Sequence, residues 1–108
     1  MKAVSRASVM IFALAPLFSQ CAIADAGADT FKARCAPCHG ATGKGDTKMG
    51  QHLKLRDLSS ADVQKQTEDE LEAIIAKGKG KMPAYGAKLT REQIHDLVKF
   101  IRSLKKLE

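Results

Sequence analysis

The chain has 108 residues, enough for one small domain but not for two. Lysine and arginine number 18 against 12 aspartates and glutamates, which gives a net charge of +6, and aromatic residues make up only 5%. This composition excludes a large enzyme with a deep substrate cleft, and a hydrophobic fraction of 44% argues against a disordered chain. No heptad pattern runs long enough for a coiled coil.

Residues 1–24 have the three-part layout of a secretory signal peptide. A short positive start is followed by an uncharged stretch over residues 7–24, and small residues then offer cleavage after Ala24 or after Ala26. We therefore expect a periplasmic protein whose domain spans residues 27–108. The alternative is an uncleaved N-terminus that anchors the protein to the outer face of the inner membrane.

Beyond the signal region, the sequence shows no β-alternation and predicts helices. The first helix is expected from Asp29 to about Ala36. The second is expected to begin at Thr67, which forms a capping box with Glu70, and to stop at Gly78.

A third helix is the clearest of the set. Thr90 is its predicted cap with Gln93 as capping-box partner, and Leu89 and Ile94 are placed as a hydrophobic staple around that cap. Its apolar residues recur at helical spacing: Ile94, Leu97, Val98, Ile101 and Leu104.

Residues 40–58 are rich in glycine and lysine and are expected to form an ordered loop, and the sequence allows a short helical turn at residues 60–64. The predicted fold class is therefore all-α, with three to four helices. A domain of this size rarely gains more than a few kcal/mol from its apolar core, so a disulfide, a metal or a cofactor is expected to stabilise it.

The segment Cys35-Ala36-Pro37-Cys38-His39 provides such a group, because C-x-x-C-H is the attachment signature of c-type haem. Its two thiols form thioether bonds with the vinyl groups of haem, and the adjacent histidine is the proximal iron ligand. Proline lacks an N–H and disfavours α conformation in the residue before it, so the first helix is expected to break near Ala36.

Other uses of the cysteine pair fit the sequence less well. A thioredoxin-like dithiol needs a βαβ context, and a zinc site needs a second Cys/His pair, whereas His52 and His95 are isolated from each other. A plain disulfide leaves the adjacent histidine without a role. An export signal also agrees with haem attachment.

The second axial ligand of the iron must come from another part of the chain. Met49 and His52 follow His39 too closely to reach the far face of the macrocycle. His95 lies outside the apolar stripe of the third helix and is expected at the surface.

Met82 remains as the predicted second ligand. Gly80 lets the backbone approach the haem closely, and Pro83 restrains the chain directly after the methionine. A thioether ligand favours ferrous iron and raises the reduction potential.

With these motifs, residues 27–106 resemble a class I c-type cytochrome of the short bacterial kind. The specific parts of the resemblance are Cys35-Ala36-Pro37-Cys38-His39-Gly40 and Met82-Pro83. The resemblance implies a small cytochrome c-like fold around one covalent haem c, and one-electron transfer as the function.

The resemblance also implies a crossing of the first and last helices, nearly at right angles, with a glycine and an aromatic residue at the crossing. Gly27 and Phe31 on the first helix, and Leu97 and Phe100 on the last, are the corresponding residues.

Two features depart from the family pattern. No proline lies between Gly40 and Lys81, so the carbonyl that would accept a hydrogen bond from the proximal histidine is unassigned. Tryptophan, a frequent propionate contact in the family, is absent, which leaves Lys48, Lys54 or Arg56 for that role.

Iron held by His39 and Met82 has no open position, which suits a one-electron carrier without a small-molecule substrate and not an enzyme. A haem enzyme or sensor with a labile Met82 ligand is the first alternative. The second is a relay subunit held to a membrane complex by its N-terminus.

Several lysines flank the predicted ligands: Lys44, Lys48, Lys77, Lys79 and Lys81. They serve solubility alone, or they steer redox proteins that have acidic docking surfaces. Nucleic acid is not expected as a partner, because the charges are dispersed and no stacking aromatics are interleaved. A monomer is the default expectation.

Overall fold

A computed structural model of the chain describes residues 21–105, with side chains from residue 26 onward, and the isolated residues 3, 8, 10, 11 and 13. Most of the predicted signal peptide therefore lies outside the described residues. Within residues 21–105 the backbone forms helices and no strand: α1 (Cys21–Arg34), α2 (Ala36–His39), α3 (Lys48–Leu53), α4 (Ala61–Gln64), α5 (Glu68–Lys77) and α6 (Arg91–Ser103). The predicted all-α class is confirmed. In this described part, no helix has the length and apolarity that a bilayer crossing requires.

The first helix begins earlier than predicted, at Cys21 and not at Asp29, and it breaks beside the predicted position. α1 stops at Arg34, and the break lies at Cys35 (φ −108°, ψ −38°), next to Ala36, which already belongs to α2. Pro37 explains the break, because it has no N–H to donate to the carbonyl of Ala33. Ala36 nonetheless adopts helical geometry, since Pro37 sits in the first turn of α2, where the missing donor costs nothing.

A short helix, α3, lies within the segment predicted to be a loop. The Thr47 hydroxyl caps α3 by accepting a hydrogen bond from the Gly50 amide at 2.9 Å. The helix ends where Lys54 adopts the left-handed conformation, with φ of 55°. Six residues with little apolar periodicity give almost no helical signal in the sequence, which is why this helix was missed.

The other helix termini agree with the sequence. Both predicted capping boxes are present, Thr67 with Glu70 at the start of α5 and Thr90 with Gln93 at the start of α6. α5 ends at Gly78, whose φ of 76° suits glycine. The short turn at residues 60–64 is present as α4.

The core is built by α1, α5 and α6, with one residue from α4 and one from the segment between α5 and α6. Its buried side chains are Phe31, Val63, Leu71, Ile75, Leu89, Ile94, Leu97, Val98 and Ile101. Burial of both Leu89 and Ile94 agrees with the hydrophobic staple predicted around the cap of α6.

α1 and α6 pack directly on each other through Gly27. A Cβ atom at this position would lie 2.3 Å from the Asp96 carbonyl oxygen and 3.3 Å from the Phe100 Cβ. One turn further along α1, the Phe31 ring packs against the Phe100 ring with centroids 4.7 Å apart. The expected pairing of a glycine with an aromatic residue at the contact of the first and last helices is thus present.

Gly27→Ala is expected to destabilise the protein by about 1–3 kcal/mol, because the two helices must move apart to admit the methyl group. In a helix without this contact, replacing glycine by alanine would raise stability by about 1 kcal/mol, because alanine is the better helix former. A fall in the free energy of unfolding therefore reports the close contact of the two helices. Urea unfolding followed by circular dichroism measures it.

Ala33→Ser, at an exposed position of the same helix, is the matched control and is expected to change the free energy of unfolding by less than about 0.7 kcal/mol. A Gly27→Ala protein as stable as the parent or more stable would show that α1 and α6 do not meet at this glycine.

Candidate haem-binding site

A cavity of about 320 Å³, partly open to solvent, lies beside the core and is lined by residues of all six helices and of the segments between them. Its apolar lining includes the side chains Leu53, Leu55, Leu58, Leu71, Ile74 and Ile75. Leu89, by contrast, lies in the core and does not line the cavity.

The C-x-x-C-H motif forms one wall of this cavity. Cys35, Cys38 and His39 all line it and are partly buried, and both thiols are free. The motif is therefore folded so that two unpaired thiols and one imidazole face the same apolar space.

The loop after the motif fixes the motif's backbone by donating hydrogen bonds to two of its carbonyl groups. The Gly45 amide donates to the His39 carbonyl at 2.7 Å, and the Thr47 hydroxyl donates to the Cys38 carbonyl at 2.7 Å. Gly50 packs so closely that a Cβ there would lie 2.6 Å from the Cys38 oxygen. Sequence reasoning missed these supports, because the one local signal is Thr47, a residue type that is favoured at helix N-termini but is also common in loops.

Burial favours the neutral forms of Cys35 and His39. Burial, with a smaller contribution from Cys38, raises the pKa of the Cys35 thiol to about 11. Burial lowers the pKa of His39 below its ordinary value, so its imidazole is uncharged at neutral pH and keeps a lone pair for a metal.

The Nδ1 atom of His39 is buried and has no hydrogen-bond partner within the described part of the chain. The acceptor that the sequence left unassigned is therefore unassigned in the structure as well. The Phe31 ring lies next to the imidazole, with centroids 6.4 Å apart and planes tilted by 42°.

Met82 reaches the same cavity from a tight turn after α5. The Met82 amide donates to the Lys79 carbonyl at 2.9 Å, and the Lys79 amide donates to the Met82 carbonyl at 3.1 Å. Gly78 is required beside this turn, because a Cβ there would lie 2.6 Å from the Met82 carbonyl oxygen. The methionine side chain is half-buried and held at the cavity.

The other candidate ligands do not line the cavity. Met49 is 49% exposed on α3, and His52 is exposed on the same helix. His95 has a side chain 45% exposed, and its Nδ1 lies 2.7 Å from the Glu72 carboxylate. The expected surface position of His95 is therefore correct.

Among the described residues, the charged side chains that line the cavity are all cationic: Arg34, Arg56, Lys79 and Lys81. Of the three residues considered for the propionates, Arg56 lines the cavity, whereas Lys48 and Lys54 do not.

A polar network supports the wall behind Leu58, and sequence reasoning did not find it. The Gln64 amide donates to the carbonyls of Leu58 and Ile101, both at 2.8 Å. Arg102 of α6 donates in turn to the carbonyls of Gln64, at 2.8 Å, and Gln66. This network ties the loop around α4 to α6.

Comparison with known proteins agrees with this site. The family profile described as cytochrome C oxidase, cbb3-type, subunit III matches residues 22–101. Cytochrome c6 of Microcystis aeruginosa is 37% identical over 78 residues, which cover 69% of this chain and 89% of the relative. The chain is a class I c-type cytochrome. Its family consists of electron carriers with a single, covalently attached haem c.

Solved cytochromes share its fold. The KustC0563 c-type cytochrome has a TM-score of 0.69 and 30% identity, over 74% of this chain and 98% of that structure. Cytochrome c6C from Synechococcus sp. PCC 7002 has a TM-score of 0.58 and 28% identity, over 73% of this chain and 93% of that one.

The residues of the cavity fit the haem of a c-type cytochrome. The walls are apolar, two free thiols and a neutral imidazole face the space, and cations at its lining would balance two propionates.

Without haem the cytochrome is expected to lose its native fold. The apolar lining of this cavity then faces water, and a domain of this size rarely gains more than a few kcal/mol from its own core. A haem-free Cys35→Ser, Cys38→Ser variant should therefore show no cooperative thermal transition by circular dichroism, whereas the haem-loaded parent should. A cooperative transition in a variant shown by absorbance to be haem-free would contradict this account.

Proposed function

We propose that this cytochrome is a periplasmic one-electron carrier in which Cys35 and Cys38 hold the haem and His39 and Met82 are the axial ligands of its iron. When bound, haem c supplies reversible one-electron chemistry at iron. The observation that carries the proposal is that these four side chains line one apolar cavity although Met82 lies far from the others in sequence.

Each residue has a separate task in this site. The two thiols hold the group through thioether bonds, and the neutral His39 offers a lone pair to the iron. Met82 offers a second, soft and uncharged ligand, which favours the ferrous state. The leucine and isoleucine lining would exclude water from the bound group. With His39 and Met82 as its two ligands the iron would have no open position, so the site would suit electron transfer and not the activation of a small substrate.

Arg56 is the proposed propionate partner. It alone among the three sequence candidates lines the cavity, and a guanidinium matches the planar, bidentate geometry of a carboxylate.

Met82→Ala tests the ligand assignment. The variant is expected to lose the weak Met–iron band of the oxidised spectrum. Its reduction potential should fall by on the order of 0.1 V or more, since axial ligands spread haem potentials over about 0.8 V. Optical redox titration measures both quantities.

Met49→Ala is the matched control, because Met49 is 49% exposed and does not line the cavity. It should leave the band and the potential unchanged. If the Met82→Ala protein keeps the Met–iron band, another residue is the ligand. If the parent lacks the band, the site has an open or exchangeable position, and the alternative of a haem enzyme or sensor is favoured.

The proposed location rests on the N-terminal sequence. Residues 1–24 are proposed to be a cleaved signal peptide, with the mature chain beginning at Asp25 or Gly27. Intact mass distinguishes this protein, with one haem, from a relay subunit that keeps its N-terminus as an anchor.

The proposed partners are redox proteins with acidic docking surfaces. Lys79 and Lys81 are exposed and also line the cavity, and no carboxylate in the described part of the chain lines it, so the positive potential is concentrated where electrons would leave the haem.

Lys79→Gln together with Lys81→Gln tests this proposal with an anionic oxidant, hexacyanoferrate(III). At low ionic strength the variant is expected to be oxidised about three- to tenfold more slowly, because attraction to the cavity mouth is lost. The difference should shrink in high salt. Stopped-flow absorbance measures the rates, with the reduction potential determined in parallel.

Lys99→Gln together with Lys105→Gln changes the net charge equally at exposed positions that do not line the cavity. This control should have a clearly smaller effect. Equal slowing by the two pairs would mean that only net charge matters and that the cavity mouth does not steer partners.

A further inference from the structure

Tyr85 connects three structural elements around the cavity. Its amide donates to the Ile75 carbonyl in α5 at 2.9 Å, and its carbonyl accepts from the amides of Lys88 and Leu89, both at 2.9 Å. Its hydroxyl donates to the Arg34 carbonyl at the end of α1, at 3.3 Å. The same side chain lines the cavity and packs against the core.

The Arg34 carbonyl needs a donor because of the break in the haem motif. In an uninterrupted helix the Cys38 amide would donate to it. Here the Cys38 amide donates to the Cys35 carbonyl at 3.2 Å instead. Within residues 21–105, the group that donates to the Arg34 carbonyl is the Tyr85 hydroxyl, although Tyr85 lies 51 positions further along the chain.

Tyr85 also lies three residues after Met82, in the segment Met82-Pro83-Ala84-Tyr85. The turn at Lys79 fixes the start of this segment, and Tyr85 fixes its end against both α5 and α1. Displacing Met82 from the cavity therefore requires movement of a segment that is held at both ends.

We propose that Tyr85 is a positioning residue. Its hydroxyl holds the Met82 segment against the end of α1 through the hydrogen bond to the Arg34 carbonyl, and we call this hydrogen bond the latch. This inference rests on the proposed ligation by Met82. The latch keeps the thioether of Met82 in place and makes its displacement by external ligands harder.

Tyr85→Phe tests the latch in the haem-loaded protein, because it removes the hydroxyl and keeps the ring. Imidazole, a small ligand that competes with methionine for ferric iron, is the probe. The variant is expected to bind imidazole about threefold more tightly, as loss of one exposed hydrogen bond favours the opened segment. Spectrophotometric titration measures the affinity, and urea unfolding monitors global stability.

Lys88→Gln is the matched control. It removes the ammonium group that lies 5.7 Å from the centroid of the Tyr85 ring but leaves the hydroxyl in place. It should bind imidazole like the parent.

The outcomes separate this inference from the ligand assignment. A parent protein without a Met–iron band overturns both. A parent with the band and a Tyr85→Phe variant of unchanged imidazole affinity overturns the latch alone, even if the variant unfolds at lower urea, because a merely structural role would lower stability without opening the ligand position.

Discussion

The rest of the structure depends on an apolar cavity that the chain cannot fill with its own side chains. Few large aromatic residues are available, and two of them, Phe31 and Phe100, are used where α1 and α6 meet. Ile74 of α5 and the leucines Leu53 and Leu55 beside it in the cavity are only partly buried by the protein, and they complete their burial against what occupies the cavity. We therefore expect haem binding and folding to be coupled in this cytochrome, as in other small domains stabilised by a bound group.

Close backbone packing positions the site around that cavity. Gly27 lets α1 lie against α6, Gly50 lets α3 lie against the haem motif, and Gly78 lets the Met82 turn fold back on the end of α5. In each case a Cβ atom would come within 2.6 Å of a backbone oxygen. Because carbonyl groups cannot yield as flexible side chains do, these contacts fix how far apart the walls of the cavity can be.

Local signals in the sequence predicted local features well. The caps at Thr67 and Thr90 involve residues three positions apart, and the C-x-x-C-H motif is contiguous, so both are visible without a fold. α3 was missed because it is short and its supports depend on tertiary packing. The contact of Tyr85 with Arg34 joins residues 51 positions apart and follows from a helix break that the sequence placed one residue too late. The role of Met82 was predicted by elimination among candidates, and the structure adds that it shares a cavity with the haem motif.

The interior and the rim of the site meet different demands. Fast electron transfer needs an iron environment that changes little between oxidation states. Under the proposed ligation by Met82, the Met82 segment, held by Lys79 and Tyr85 at its two ends, would restrict such change. Contact with partner proteins needs a surface that can adapt to different shapes. The rim of the cavity has the exposed lysines Lys79 and Lys81, whose charged groups lie at the ends of flexible side chains. Lysines of this kind attract an acidic surface without demanding one fixed geometry. A rigid interior with a flexible, charged rim favours brief encounters over a tight complex. An electron carrier requires brief encounters, because it must bind and leave two different proteins.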